Sequence, residues 1–217
     1  RSFEDWRELV TRALEDIARA RFEKIVLARA VRVETDRPVR LVPVLRRLEG
    51  LFPECTVFHV GGFFGASPEL VIARRGDAVL SHPLAGTRAR APDPESDLRV
   101  GEELLGHDKS RREHRVVIDA VAAALSPACE TLEVPHTPSI VRFRNVMHLG
   151  TLLKGRLRDP AQHALGLVAR VHPTPAVCGT PTDTTLAWLR AHERLDRGLY
   201  AGAVGWMDAR GDGEWVL

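Results

Sequence analysis

Between Ser110 and Leu125, the apolar residues Val116, Val117, Ala120, Val121 and Ala124 recur at three- and four-residue steps, which predicts a helix with one apolar stripe. Glu113 falls on that stripe, because forward steps from it reach Val116, Val117, Ala120 and Ala124. A carboxylate is thereby aimed inward, and burying an unpaired charge is costly enough that the group needs a cation, a proton or a row of donors. Two readings stay open from the pattern: a salt bridge to an arginine such as Arg111 or Arg115, and a metal ligand.

The same reading along the chain predicts the other elements. Ser2-Phe3-Glu4-Asp5 has the form of an N-cap with acidic first-turn residues, and Phe3, Trp6, Val10, Ala13, Leu14 and Ile17 keep helical spacing after it. Residues 23–33 alternate and are rich in β-branched side chains, a long strand on which Lys24 shares a face with Val26, Ala28 and Ala30. Residues 41–51 read as a helix with Leu45 and Leu48 inward. Strands are expected over 55–64 and 70–73, separated by Gly65-Ala-Ser-Pro-Glu-Leu70, and the turn Arg74-Arg-Gly-Asp77 leads to another through Leu84. Beyond the central helix, 139–145 and 146–155 suggest strands, 161–171 a helix stopped by His172-Pro-Thr-Pro175, and 184–195 a helix carrying Leu186, Trp188 and Leu189. Residues 200–207 read as a glycine-rich strand that another backbone or a ligand can approach closely. Strands outnumber helices and are joined mostly by hairpins, so the expected class is α+β, with large antiparallel sheets and helices outside.

Composition narrows the function classes. A chain of 217 residues, 44% of them hydrophobic and without low-complexity tracts, suits one large single-core domain. The 31 basic and 29 acidic residues are interleaved and sum to +2, which gives no reason to expect nucleic acid. Cys55, Cys129 and Cys178 are widely spaced and odd in number, so neither a disulfide framework nor a zinc ribbon is expected. There is no apolar run of about eighteen residues or more and no signal-peptide pattern, so no membrane association and a cytoplasmic location are expected. The chain opens on Arg1 and closes on Glu214-Trp-Val-Leu217, which reads as a strand just beginning after a turn, and it is therefore expected to be incomplete at both ends.

Four stretches are over-specified for structure alone: Lys24-Ile-Val-Leu-Ala-Arg29, Gly65-Ala-Ser-Pro-Glu-Leu70, Pro83-Leu-Ala-Gly-Thr-Arg88 and Arg112-Glu-His114. A lysine desolvated among Val and Ala loses basicity and can act as a general base. A carboxyl in an apolar pocket gains it and can act as a general acid, so Lys24 and Glu69 offer an acid–base couple. The competing structural readings are a Lys24 that snorkels from a strand end and a Glu69 that caps a turn.

With Lys109-Ser-Arg-Arg-Glu-His114, His172-Pro-Thr-Pro-Ala176 and Asp196-Arg-Gly-Leu-Tyr-Ala-Gly-Ala-Val-Gly-Trp206, these motifs stand in an order that resembles the chorismate-utilising enzymes, most closely isochorismate synthases. The resemblance covers nearly the whole chain and implies that residues 1–217 are a chorismate-binding catalytic domain with a sandwich-like core of antiparallel sheets. It also implies the reaction: water adds at C2 of chorismate while the C4 hydroxyl leaves, with Mg2+ on the ring carboxylate. On this resemblance Lys24 matches the base that activates water, Glu69 the acid that protonates the departing hydroxyl, and Glu113 a magnesium glutamate. Gly86 and Thr87 match a substrate-contacting pair, His148 a ring-side contact, and Tyr200 a position near the enolpyruvyl carboxylate.

Two positions discriminate within the family. Ala85 stands where aminodeoxychorismate synthases carry a lysine, and Ala176 where salicylate and anthranilate synthases usually carry a threonine. Both, with Lys24, point to water as the nucleophile and to isochorismate as the product; a monomeric enzyme is expected, and menaquinone, siderophore and salicylate synthesis all stay open as the pathway it feeds. Salicylate synthase is the alternative within the class. In the relatives a carboxylate-binding arginine and a second magnesium glutamate follow the position of Leu217, and a chain ending there would instead be a non-catalytic binding or scaffold domain.

Overall fold

The computed structural model describes residues 2–217. In chain order the elements begin with α1 (Phe3–Ala18), β1 (Lys24–Ile25), α2 (Leu41–Leu51), β2 (Thr56–Val60), β3 (Phe63–Ser67), β4 (Leu70–Arg75) and β5 (Ala78–His82). They continue with β6 (Leu84–Ala89), α3 (Pro94–Gly106), α4 (Asp108–Leu125), β7 (Cys129–Glu133), β8 (Ser139–Arg142) and β9 (Val146–Gly150). The last are β10 (Leu153–Leu157), α5 (Ala164–Val171), β11 (Gly179–Thr180), α6 (Thr182–His192), β12 (Val204–Met207) and β13 (Gly213–Val216). The fold is α+β, and every strand pairing is antiparallel. Two compact units share the chain: one takes the residues up to Arg40 and Pro173–Ala201, the other Leu41–His172 and Gly202–Leu217.

The first unit is built on α1 and α6. Ser2 and Asp5 close a reciprocal capping box at the start of α1, each satisfying a backbone N–H of the other. Leu9 and Ala13 then pack with Phe22, Cys178, Trp188 and Leu189 into one cluster, flanked by Trp6 and Ile17. Phe3 and Leu14, expected on this face, are exposed. The buried face instead runs through Asp16, whose carboxylate accepts the Trp188 indole N–H at 2.7 Å, so a hydrogen bond carries a polar residue inward.

The long strand expected over 23–33 is confined to Lys24–Ile25, paired with Gly179–Thr180. Past Ile25 the backbone groups find other partners. Val26 still donates to the Cys178 carbonyl, but the Ala28 N–H goes to the Glu193 carboxylate at 2.8 Å and the Val26 carbonyl accepts from Arg197 at 2.8 Å. Val31 and Val33 lie exposed, so β-branched alternation alone did not make a ladder. Glu193 is only 2% exposed. Arg197, one helical turn on, grips its carboxylate through Nε and a terminal nitrogen, each at 2.7 Å, and a hydrogen bond to that acid is the main reason the guanidinium's pKa is raised.

In the second unit a six-stranded sheet runs β12-β13-β4-β5-β10-β7, beside a three-stranded sheet β6-β9-β8 and the separate hairpin β2-β3. Helices α4 and α5 pack on each other; α5 also packs on β4 and β13, and α4 on β6 and β9. Ile72, Val79, Leu153, Val117, Val121 and Leu167 are buried in this unit. Buried Arg74 pins β4 to the turn before β13, donating to Asp212 at 2.7 Å and to the carbonyls of Arg210 and Pro160.

Helix α2 has the expected bounds, with Leu45 and Leu48 half-buried. The single strand expected over 55–64 is a hairpin, because Gly61 and Gly62 adopt φ of 55° and 88° and turn the chain. Pro83 likewise splits the strand expected through Leu84, sending β5 and β6 into different sheets. Helix α3 has a start that is legible in the sequence: Asp93 caps it, Pro94 opens it, and Glu95 and Asp97 sit in its first turn.

Replacing Arg197 by Ala leaves a buried carboxylate without its guanidinium and releases the Val26 and Val177 carbonyls. The first unit is expected to lose about 3 kcal/mol of stability, read as a lower denaturant midpoint. An unchanged midpoint would contradict this account of the unit.

Candidate active site

In the second unit the candidate residues are set by a bulge in β6. The pairing of β6 with β9 shifts register between Ala85 and Thr87, and Gly86 between them adopts φ +76°. A side chain there would be strained by its backbone and would bring a Cβ to 3.1 Å from that of Ser110, so glycine lets the strand lie close against the first turn of α4. Past the bulge Thr87 lies directly opposite His148, and its hydroxyl is 2.9 Å from His148 Nδ1. Burial pushes the His148 imidazole below its ordinary pKa, only partly offset by a hydrogen bond to the Gly86 backbone, and the ring is therefore neutral at pH 7. Phe143 packs beside the ring at 5.7 Å.

Helix α4 corrects the expected orientation of Glu113. Its buried face is formed by Ser110, His114, Val117, Ile118, Val121 and Leu125, one residue on from the stripe expected through Val116, Ala120 and Ala124. Glu113 is half-buried on the edge of that face. The arginine reading also fails for the neighbours named for it. Arg115 is bound to Asp119 at 2.8 Å, and Glu113 makes no ion pair or hydrogen bond among the described residues. The buried place belongs to His114, whose Nε2 is 2.8 Å from Thr151 Oγ1. Glu69 is half-buried after Pro68 in the short link between β3 and β4; its N–H donates to Ser67 Oγ and its carbonyl accepts from Leu217 N–H at 3.0 Å.

The first unit carries the remaining three residues. Lys24 is half-buried and faces Thr180 across the β1–β11 ladder. Ala176, half-buried, lies in the segment leading to β11 and donates its N–H to Thr174 Oγ1 at 3.3 Å. Tyr200 is 56% exposed in a turn whose N–H donates to the Arg197 carbonyl. Arg197 joins all three pieces, since it also donates to Val26 two residues beyond Lys24 and to Val177 next to Ala176. It stood inside a recognised motif without an assigned role, and its signal was the Glu193–Arg197 spacing of one helical turn.

Asp97 was also missed. It is buried and accepts from Arg90 at 2.6 Å, from the Ala91 N–H, and from Arg142 at 3.2 Å, joining α3 to the ends of β6 and β8. The Arg90 hydrogen bond, ahead of the other contacts, holds this carboxyl below the ordinary carboxylate range. Among the described residues no three His, Cys, Asp or Glu side chains gather to hold a metal ion. A closed zinc-type site is therefore not built from them, whereas Mg2+ needs only one or two carboxylates plus water and substrate oxygens. Glu113 suits that second mode.

A family model described as chorismate binding enzyme matches residues 1–217. The chain is 43% identical over 231 residues to isochorismate synthase DhbC of Bacillus subtilis, covering 99% of this chain and 56% of that protein. It is 37% identical over 221 residues to the vibriobactin-specific isochorismate synthase of Vibrio cholerae, covering 100% and 56%. The solved structure of MenF, the menaquinone-specific isochorismate synthase from Escherichia coli, superposes with a TM-score of 0.91 at 29% identity, covering 100% of this chain and 51% of that one. The chain thus spans about half the length of the relatives it matches.

Burial also lowers the pKa of His82 and His172. A histidine whose folded pKa lies below its unfolded value near about 6.5 contributes stability that is complete above that pH and is lost as pH falls through the folded value. The urea midpoint is accordingly expected to be lower at about pH 5.5 than at about pH 7.5, with a smaller drop in His148→Gln. Equal midpoints in the parent chain would contradict neutral burial.

Proposed function

The chain belongs to the chorismate binding enzyme family, and from that premise we propose that it is the chorismate-binding catalytic region, residues 1–217, of an isochorismate synthase. The observation that carries the proposal is Glu113: a half-buried carboxylate without a protein cation among the described residues, on the helix packed against the Gly86–Thr87 bulge. That arrangement suits an anionic ring substrate whose carboxylate shares a dication with the protein. Glu113 would hold Mg2+, which when bound neutralises the ring carboxylate and fixes its place.

In the proposed reaction Lys24 acts as the base and takes a proton from water as the oxygen bonds to C2. Both ring double bonds shift, C1=C2 to C1=C6 and C5=C6 to C4=C5, the C4–O bond breaks, and Glu69 gives a proton to the departing hydroxyl. The atoms balance as an isomerisation, with one water taken up and one released. Gly86 offers backbone at the bulge, Thr87 and neutral His148 offer uncharged polar contacts, Ala176 keeps its position apolar, and Tyr200 serves the enolpyruvyl carboxylate. Neutral contacts are the better choice here, because a further carboxylate would repel the substrate. The proposed setting is a cytoplasmic, monomeric enzyme with the family's sandwich-like core. Among the described residues no helix is long and apolar enough to cross a membrane.

The natural polypeptide carrying this sequence, given chorismate, Mg2+ and excess isochorismatase, is expected to form product only when the metal is present. Lys24→Ala and Glu69→Gln should each lower kcat by about 10²-fold or more with the fold intact, and Glu113→Gln should raise the Mg2+ concentration needed for half activity. Product without Mg2+, or near-parental rates in both the Lys24 and Glu69 variants, would overturn the assignment. Salicylate and pyruvate formed without an added lyase would move it to the salicylate branch.

A further inference from the structure

Helix α4 carries a second feature on the flank away from Glu113. Two residues correspond to about 200° around a helix, so Arg111 and Arg115, two positions to either side, point away from that carboxylate. With Arg112 they stand around a cavity of about 310 Å3 walled also by Ile118, Pro135 and Pro138. The deep part is polar, since Thr151 and His114 line it and are each only 3% exposed. Three arginines line the cavity, with His136 and one acid, Asp108. Arg115 is held in place by Asp119 at 2.8 Å, whereas the Arg111 and Arg112 side chains make no hydrogen bond or ion pair among the described residues.

Adjacent like charges at the mouth of an apolar-walled cleft repel one another, and an anion entering the cleft removes that cost. A guanidinium fork matches a carboxylate bidentately and also lies flat on an aromatic ring, which an ammonium does not do. The wall of Ile118 and two prolines offers a dry face to such a ring, and the volume is at the small end of ligand pockets, about 300–1,000 Å3. We propose that this cavity binds a small aryl carboxylate, with Arg111 and Arg112 on the carboxylate and the ring against Ile118, Pro135 and Pro138. The site is separate from Glu113 and does not depend on the activity proposed above.

Benzoate, titrated calorimetrically into the natural polypeptide carrying this sequence, with acetate and inorganic phosphate as controls, tests this directly. Saturable binding of benzoate is expected, about tenfold or more tighter than acetate, weakened about tenfold in Arg111→Gln/Arg112→Gln and unchanged in Thr87→Val. If the glutamine variant melts below the parent, Arg111→Lys/Arg112→Lys keeps the charge and is expected to bind about threefold or more weakly, because it lacks the fork. Phosphate binding tighter than benzoate, benzoate no tighter than acetate, arginine variants that bind like the parent, or loss of binding in Thr87→Val instead would each overturn the proposal.

Discussion

The carboxylate of Glu193, carried into the core of its unit and gripped by Arg197, sets the course of three separate stretches of backbone. Its second oxygen takes the Ala28 N–H, while the guanidinium it orients takes the carbonyls of Val26 and Val177. These are the groups that a longer β-ladder would have paired. Isolated ions lose several kcal/mol on leaving water, and their attraction alone recovers that only with good geometry and further hydrogen bonds. Both conditions are met here. The result is less a gain in stability than a fixed route: Lys24 is held next to one anchored carbonyl and Ala176 next to the other, and the Tyr200 turn starts from the Arg197 carbonyl.

In the second unit position is set by closeness of backbone. Gly86 has no Cβ, so β6 can bulge against Ser110 at the start of α4, and the register after the bulge puts Thr87 opposite His148. A one-residue change in that register would turn the hydroxyl to the other face of the sheet. Helix α4 thus acts in three ways around its circumference. His114, Val117, Val121 and Leu125 enter the core, Glu113 lies on one edge, and the arginines lie on the other.

Elements with strong local signals were legible in the sequence. The Ser2 capping box, the helix over 41–51 and the Trp188–Leu189 face are where periodicity and capping place them. Periodicity could not see partners far along the chain. Residues 26–33 alternate like a strand, yet the Val26 carbonyl and the Ala28 N–H are claimed by Arg197 and Glu193, more than 160 positions away. The face of α1 was misread for a similar reason, because Asp16 is drawn inward by a tryptophan on another helix. At short range, turn chemistry overrides apolar continuity, as at Gly61-Gly62 and at Pro83. For the site, the sequence named Gly86, Thr87 and His148, which the bulge brings together, whereas the helical spacing of Glu193 and Arg197 signals a pair but not the distant carbonyls that Arg197 binds, and nothing local signals the Arg90 and Arg142 partners of Asp97.

The acids of this protein follow a pattern that bears on Glu113. Asp97 is buried and has Arg90 and Arg142; Glu193 is buried and has Arg197; Asp16 is buried and has the Trp188 indole with Arg21 beside it. In each case a donor accompanies the carboxylate inward, as the cost of desolvating a lone charge demands. Glu113 is brought only halfway, with nothing assigned to it, although Arg111, Arg112 and Arg115 are near it in sequence on the same helix. Arg111 and Arg115, two positions to either side, point to the far side of the helix, and Arg115 is spent on Asp119. Half-exposure keeps the cost of the bare charge small while leaving its oxygens open. A carboxylate kept in that state is suited to a cation that arrives with a ligand, and a resident guanidinium would have taken that place.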